Sequence, residues 1–313
     1  MDVFVLGSYI NANSLRVGQL PKTGESVQAS EFWAEHGGKG LNLAVGMHRL
    51  GLQAHTLLAI GNDAAGAALL DLLHAEGMDT SLVLTLPDAS GFGVGLVAED
   101  GSNIIAIYPG ANAKLDGSHV KAASPMLTSC QLVCAQFEIP DAPIREAFQQ
   151  ARQQDITTLL NPSPWRTPDP EMLALTDILV LNETEAAACF GLADAEALSI
   201  IQWLRLLPTL AWRGRLLVVT LAGRGCVVRQ GETAMHEPAW TVTVTDPTGA
   251  GDAFTAGLAY ALGQNTPLNA ALRFANACGA IVASQAGVLS ALPALTHVQA
   301  FMQGQACADS SAR

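Results

Sequence analysis

Apolar residues along this chain fall into short runs broken by glycine and polar clusters, and the runs alternate between a strand period and a helix period. Val3 to Leu6 is continuously apolar and closes on Gly7-Ser8, the pattern of a buried parallel strand. Leu41 to Leu50 has helical spacing, Gln53 to Ile60 reads as a strand, and Ala64 to Glu76 as a helix with Asp63 placed to cap it. Between these, Ser26 to Ala34 is strand-like but too polar for core. Phe92 to Ala98 and Ile104 to Tyr108 are β-rich runs joined by Glu99-Asp100-Gly101-Ser102, a hairpin turn, and a hairpin amid βα units suggests a lid. Beyond Asn112 the alternation returns: strand Leu132 to Phe137, helix Pro143 to Gln154, strands Thr157 to Leu160 and Ile178 to Leu181, a helix from Thr184 and a helix Ala195 to Leu206. Arg215 to Leu221 is the next buried strand, and Cys226 to Arg229 with Thr233 to His236 add antiparallel strands. Three helices close the chain, from Asp252, from Pro267 after the capping candidate Thr266, and from about Thr296, and Ala308 to Arg313 is expected to fray.

This order predicts an α/β fold, a mostly parallel central sheet flanked by helices on both faces, with a small β-sheet lid. One domain over 1–313 is expected, with lid segments at about 10–34 and 90–112 inserted in the core. Composition fits: half of the 313 residues are apolar and 14% charged, enough for a sizeable core. The net charge of −12, with no basic cluster to offset it, argues against nucleic acid or an anionic membrane as partner. It leaves ATP open, because backbone N–H groups and Mg²⁺ can hold phosphates. Cys130, Cys134, Cys189, Cys226, Cys278 and Cys307 form no C-x-x-C pair, so reduced thiols are expected. The start, Met1-Asp2-Val3-Phe4, lacks a basic leader, and no apolar run reaches spanning length; a cytoplasmic protein is the expectation.

The densest chemistry lies in Asp246-Pro247-Thr248-Gly249-Ala250-Gly251-Asp252, which runs into an apolar helical segment. Gly249, Ala250 and Gly251 leave the first N–H groups of that helix unobstructed, and a helix N-terminus carries about half a unit of positive charge. That is a seat for an anion. Asp252, in the first turn, sets a carboxylate beside it, placed to take a proton from a hydroxyl next to a bound phosphate. Seat and base together point to phosphoryl transfer; the alternative is a tight turn whose aspartate only complements the helix dipole. The chain has no G-x-x-x-x-G-K-[ST] and no strand-linked G-x-G-x-x-G, so it is neither a P-loop kinase nor a dinucleotide enzyme.

A second motif, Gly37-Gly38-Lys39-Gly40-Leu41-Asn42, is followed by Ala44, Gly51 and Gly61. With the 246–252 stretch it resembles both signatures of the ribokinase-like sugar kinases, the phosphofructokinase-B family, and the resemblance runs from Gly7 to about Ala291. It implies a turn at Gly249 to Gly251 whose amides form an anion hole, and Asp252 as the base. On the sugar side it implies that Asn11, Gly38, Lys39, Asn42 and Glu138 line the acceptor pocket. Asn182 and Glu185 resemble the family's N-x-x-E motif, which organises water around Mg²⁺; read as residues alone, they make a helix capping box, and both roles are compatible. Thr220, Gly223 and Gly225 resemble the loop that lines the nucleotide, Asn276 matches a position near the adenine, and Arg224 is within reach of phosphate by position.

The family binds a monovalent cation, usually potassium, and the matching positions are Asp246, Thr248, Val282, Gln285 and Gly287. Its lid strands pair between subunits, which implies a homodimer. Asn161-Pro162-Ser163-Pro164 is similar to ribokinases and favours an uncharged acceptor, although Arg166 just beyond would suit a carboxylate. One departure stands out: Asn13 occupies the place of an aspartate that grips two sugar hydroxyls, in a loop one residue longer through Tyr9. The expected activity is ATP-dependent phosphorylation of a primary hydroxyl, with ribose as leading acceptor. A nucleoside, deoxyribose, ketose or 2-keto-3-deoxygluconate stays open as acceptor, as does a catalytically silent sugar- or nucleotide-binding regulator.

Overall fold

The computed structural model describes residues 1–311, with side chains through Gly304. The apolar run at the N-terminus forms strand β1 (Asp2–Leu6), and both its faces are buried: Val3 and Val5 enter one core, Phe4 and Leu6 the other. Alternate side chains of one strand thus seed two cores, which is why the run shows no polar positions.

The remaining strands are β2 (Ile10–Val17), β3 (Ala29–Gly37), β4 (Gln53–Ile60), β5 (Val83–Thr85), β6 (Phe92–Ala98), β7 (Asn103–Tyr108), β8 (Leu132–Gln136), β9 (Thr157–Asn161), β10 (Ile178–Asn182), β11 (Leu216–Thr220), β12 (Cys226–Gln230) and β13 (Thr233–Glu237). Nine of the thirteen strands form one sheet in the order β13-β12-β11-β10-β9-β8-β1-β4-β5. Pairing is parallel from β11 to β5, and β12 and β13 add an antiparallel edge. Helices Lys39–Arg49, Ala250–Gly263 and Leu268–Ala283 pack on one face, and Asp141–Gln153 on the other. The carboxyl ends of β1, β8, β9 and β10 therefore open toward one crevice, where ligands of open α/β sheets bind.

A second sheet of four strands has the order β3-β2-β6-β7. Its hairpin closes through Gly101 at φ 85°, with Asp100 Oδ1 accepting from Ser102 N–H at 2.9 Å. Phe32, Ile104, Ile105 and Ile107 on this sheet are each more than half exposed. Strand β3 extends to Gly37, past the expected boundary at 34.

Several local expectations are corrected. The helix expected over Ala195 to Leu206 is two pieces, a 3-10 turn Ala195–Ala197 and a helix Ile200–Leu206, because Leu198 is extended and Ser199 starts a new capping box with Gln202. Thr266 caps nothing; Pro267 precedes the helix Leu268–Ala283 without a side-chain bond. The helix at the glycine turn begins at Ala250, two residues before Asp252. Short elements at 83–85, 110–114, 117–122, 124–127 and 170–174 were not anticipated, being too short for periodicity to register. Of the tail expected to fray, the backbone is helical through Ser311, and residues 312 and 313 lie outside the described residues. The described cysteines Cys130, Cys134, Cys189, Cys226 and Cys278 are free thiols.

Candidate active site

Two helix N-termini and one strand end build the site. Gly249 sits at φ 78°, and a Cβ there would run into Val288 Cγ1, so only glycine fits both the backbone and the space. Beyond it the helix Ala250–Gly263 begins. Ala250 N–H bonds the Pro247 carbonyl at 3.2 Å, closing the turn, while among the described residues Gly251 and Asp252 N–H have no backbone acceptor. The free amides of the seat are therefore those of Gly251 and Asp252, with Gly249 N–H likewise unbonded among the described residues, and the Ala250 amide is held by the turn itself.

Asp252 is 3% exposed. Asn42 Nδ2 donates to its Oδ2 at 2.8 Å, and Lys39 Nζ lies 3.5 Å from its Oδ1. Both partners come from the first turn of the helix Lys39–Arg49, which Gly38 enters at φ 99°. The Asp252 carboxylate, aided by Glu138 and Glu185, holds the Lys39 ammonium above the ordinary lysine value, with burial opposing. Asn42 Oδ1 is buried without a partner, an acceptor pointing to a missing donor such as a ligand hydroxyl.

Glu138 stands just past the end of β8. Its Oε2 accepts from Ser8 Oγ and from Lys39 N–H at 2.8 Å, so three separate segments meet at one carboxylate oxygen. Asn11 and Asn13 lie on β2. Asn13 Nδ2 donates to the carbonyls of Asn11 at 3.0 Å and Gly93 at 3.5 Å, leaving its carbonyl oxygen as the free group.

A cavity of about 650 Å³ runs from Lys39, Asp252 and the Gly249 turn past Glu185 and Thr220 to Trp240 and Asn276. Asn182, Gly223 and Gly225 line it too, whereas Asn11, Asn13, Gly38, Asn42 and Glu138 do not; Lys39 and Asp252 join the two groups. Asn182 and Glu185 form the capping box, at 2.8 and 2.9 Å, and Glu185 remains at the cavity wall. Asn276 donates to the carbonyls of Glu237 and Pro238 at 3.2 and 3.0 Å, so it braces the far wall. Among the described residues no group of three or more His, Cys, Asp or Glu gathers as a metal site. Mg²⁺ suits a site where one carboxylate acts through water and phosphates supply other ligands, and Glu185 fits that arrangement.

Of the positions matching a monovalent-cation site, only Thr248 lines the cavity. Asp246 Oδ1 accepts from Thr248 N–H at 2.9 Å, and the Val282 carbonyl from Gln285 N–H at 3.0 Å. Gly287 sits at φ 84° beside the carboxylate of Glu35, whose Oε2 accepts from Val288 N–H at 3.4 Å.

Two arginines are placed differently from what position alone allowed. Arg224 pairs with Glu183 and the Leu198 carbonyl at 2.7 Å, so it does not reach toward phosphate. Arg166 binds Asp141 and the carbonyls of Phe137 and Ile139, which leaves no free fork for an acidic acceptor. Ser8, Glu35 and Trp240 escaped sequence reasoning. Ser8 had a signal, the break after a buried strand, but Glu35 and Trp240 carry none without the tertiary fold.

The pfkB family carbohydrate kinase pattern matches residues 1–295. The chain belongs to the pfkB carbohydrate kinase family. It is 33% identical over 298 residues to a ribokinase of Mus musculus, covering 93% of this chain and 91% of that one. A ribokinase of Schizosaccharomyces pombe is 31% identical over 309 residues, 95% of this chain and 96% of the other. The structure of Arabidopsis thaliana ribokinase complexed with ribose and ATP superimposes with a TM-score of 0.87 at 26% identity, over 96% of this chain and 97% of that one. The pfkB fold is thus established, and within it the glycine turn, Asp252 and Lys39 line one cavity.

Proposed function

We propose that this pfkB kinase transfers the γ-phosphoryl group of ATP to the primary hydroxyl of ribose, giving ribose 5-phosphate and ADP. The observation that carries the reading is Asp252, held by Asn42 and Lys39 between the free amides of Gly251 and Asp252 and the acceptor-side residues. Asp252 takes the hydroxyl proton as the oxygen bonds to the γ-phosphorus and the bond to the ADP oxygen breaks. The seat amides and the Lys39 ammonium meet the charge on the transferring group, so catalysis is mainly alignment and charge stabilisation. Mg²⁺, when bound through water near Glu185, neutralises phosphate charge.

Glu138, Asn11, Asn13, Gly38 and Asn42 form the hydroxyl-binding wall, and Arg166, fully committed elsewhere, favours an uncharged sugar. Asn13 offers a neutral acceptor oxygen where relatives have a charged one, which keeps deoxyribose, a ketose or a nucleoside as the second reading. The carbonyls of Asp246, Thr248, Val282, Gln285 and Gly287 form a potassium site in this reading. The second sheet is the lid, and its exposed Phe32, Ile104, Ile105 and Ile107 support a homodimer through lid pairing. A cytoplasmic location accords with free thiols and with no helix among the described residues long and apolar enough to cross a membrane.

The test is ADP formation with Mg-ATP and K⁺ over pentoses, ketohexoses and nucleosides, with Asp252→Asn alongside. Ribose turnover that falls about 10²- to 10⁴-fold in the variant is expected. Near-normal turnover by the variant would sink the mechanism, and silence over the whole panel would favour a binding regulator.

A further inference from the structure

We propose that Arg166 is a positioning residue for Glu138, and that through it the 161–166 segment fixes the acceptor side of the site. The guanidinium lies against the turn that follows β8. Its Nη1 donates to the Phe137 carbonyl and its Nη2 to the Ile139 carbonyl at 2.7 Å, the two residues flanking Glu138. Nε and Nη2 also bond Asp141 Oδ1, at 2.9 and 2.5 Å, and the cation sits 4.0 Å from the centre of the Phe137 ring. One rigid planar fork therefore holds both sides of the turn that carries Glu138. A lysine ammonium, a single point on a flexible stem, cannot reproduce that.

Glu138 in turn accepts from Ser8 Oγ and Lys39 N–H, so a displaced turn releases the start of the Lys39–Arg49 helix. The same segment reaches the nucleotide side: Asn161 and Ser163 line the cavity, and the Ser163 carbonyl accepts from Phe137 N–H at 3.0 Å. Arg166 touches neither the cavity nor Asp252, and acts only through the turn. The kinetic consequence rests on the sugar-kinase reading above; the structural one does not.

Two measurements separate them. Hydrogen exchange at the Lys39 amide is followed in the wild type and in Arg166→Lys, which keeps the charge beside Asp141. Exchange at least threefold faster is expected, and unchanged exchange overturns the proposal whatever the enzyme's substrate. Steady-state kinetics are then measured for Arg166→Lys, Glu138→Gln and the double variant, with the acceptor and ATP varied in turn. Losing charge-assisted bonds that hold a ligand group raises the acceptor KM by about tenfold, with the ATP KM within about threefold. In the Glu138→Gln background the Arg166 change should add less than about twofold, since both act on one group. Equal rises in both KM values, or a fully additive double variant, would show a general structural role and refute positioning. If Arg166→Lys does not fold, Asp141→Asn, which loosens the fork while leaving its bonds to carbonyls, carries the same expectations. A wild type silent on every acceptor removes the kinase reading and leaves the exchange result to decide.

Discussion

Gly249→Ala is the sharpest test of the anion seat. Gly249 has φ 78°, a left-handed conformation that costs an alanine about 1–2 kcal/mol. Its new Cβ would also run into Val288 Cγ1, and forced overlap in a packed site costs typically about 1–3 kcal/mol. Together about 2–5 kcal/mol of stability should be lost, or the turn must shift to avoid it. A shift moves the Gly251 and Asp252 amides, and removing one such donor typically lowers kcat by about 10²- to 10³-fold. Val288→Ala in the same chain removes the clashing atom and leaves Val288 Cβ at 3.4 Å, an ordinary contact. The double variant should therefore recover the overlap part of the stability and some turnover, but not the backbone part. Urea unfolding gives the stability and ADP release the rate. Wild-type turnover in Gly249→Ala, or a double variant worse than the single, would refute the reasoning.

Other expectations follow from single contacts. Asn13→Asp cannot donate to the Asn11 and Gly93 carbonyls and must turn its carboxylate into the pocket; charge-assisted bonds being roughly twice as strong, the ribose KM should fall severalfold, and a rise would contradict the assignment. Asp252 holds Lys39 above the ordinary lysine value, so that pair's stabilisation is fully present below the unfolded value of about 10.4 and is lost only as pH rises through the higher folded value. Thermal midpoints of the wild type and Asp252→Asn should therefore differ by a constant amount from neutral pH up to that value and converge above it, and convergence between neutral pH and that value would be inconsistent. The half-buried Cys189 thiol is pushed up to about 11 by desolvation, so only about one part in a thousand is thiolate at pH 8. Iodoacetamide labelling followed by mass spectrometry should be slow there and rise about tenfold per pH unit; fast labelling at neutral pH would contradict it.

Much of the fold was legible in the chain because each signal was local. The strand β1 shows as an unbroken apolar run since both faces meet a core, and the hairpin β6–β7 shows as two β-rich runs around Asp100-Gly101. Asp63 and Asn182 announce helix starts through their own side chains, accepting from Gly66 and Glu185 N–H. The glycine turn and Asp252 were equally legible, because a positive φ and a first-turn carboxylate depend on neighbours in sequence. What failed was local too: Thr266 looked like a cap, yet the chain begins the helix from Pro267, and Ser199 rather than Ala195 starts the long part of its helix.

Sequence by itself determined the α/β order, the glycine turn and the candidate residues for phosphate and hydroxyls, since these follow from patterns within a few residues. Only the tertiary structure decided which groups act on one another. Asn42 and Asp252 are 210 residues apart and Lys39 and Glu138 are 99, and Glu35 meets Val288 across 253. It also turned Arg166 and Arg224 from candidate ligand-binding groups into supports for the turns beside the site. The reason is physical: a side chain's charge and reach are written in the sequence. Which partner satisfies it depends on how the sheet brings distant strand ends together and excludes the water that would otherwise compete.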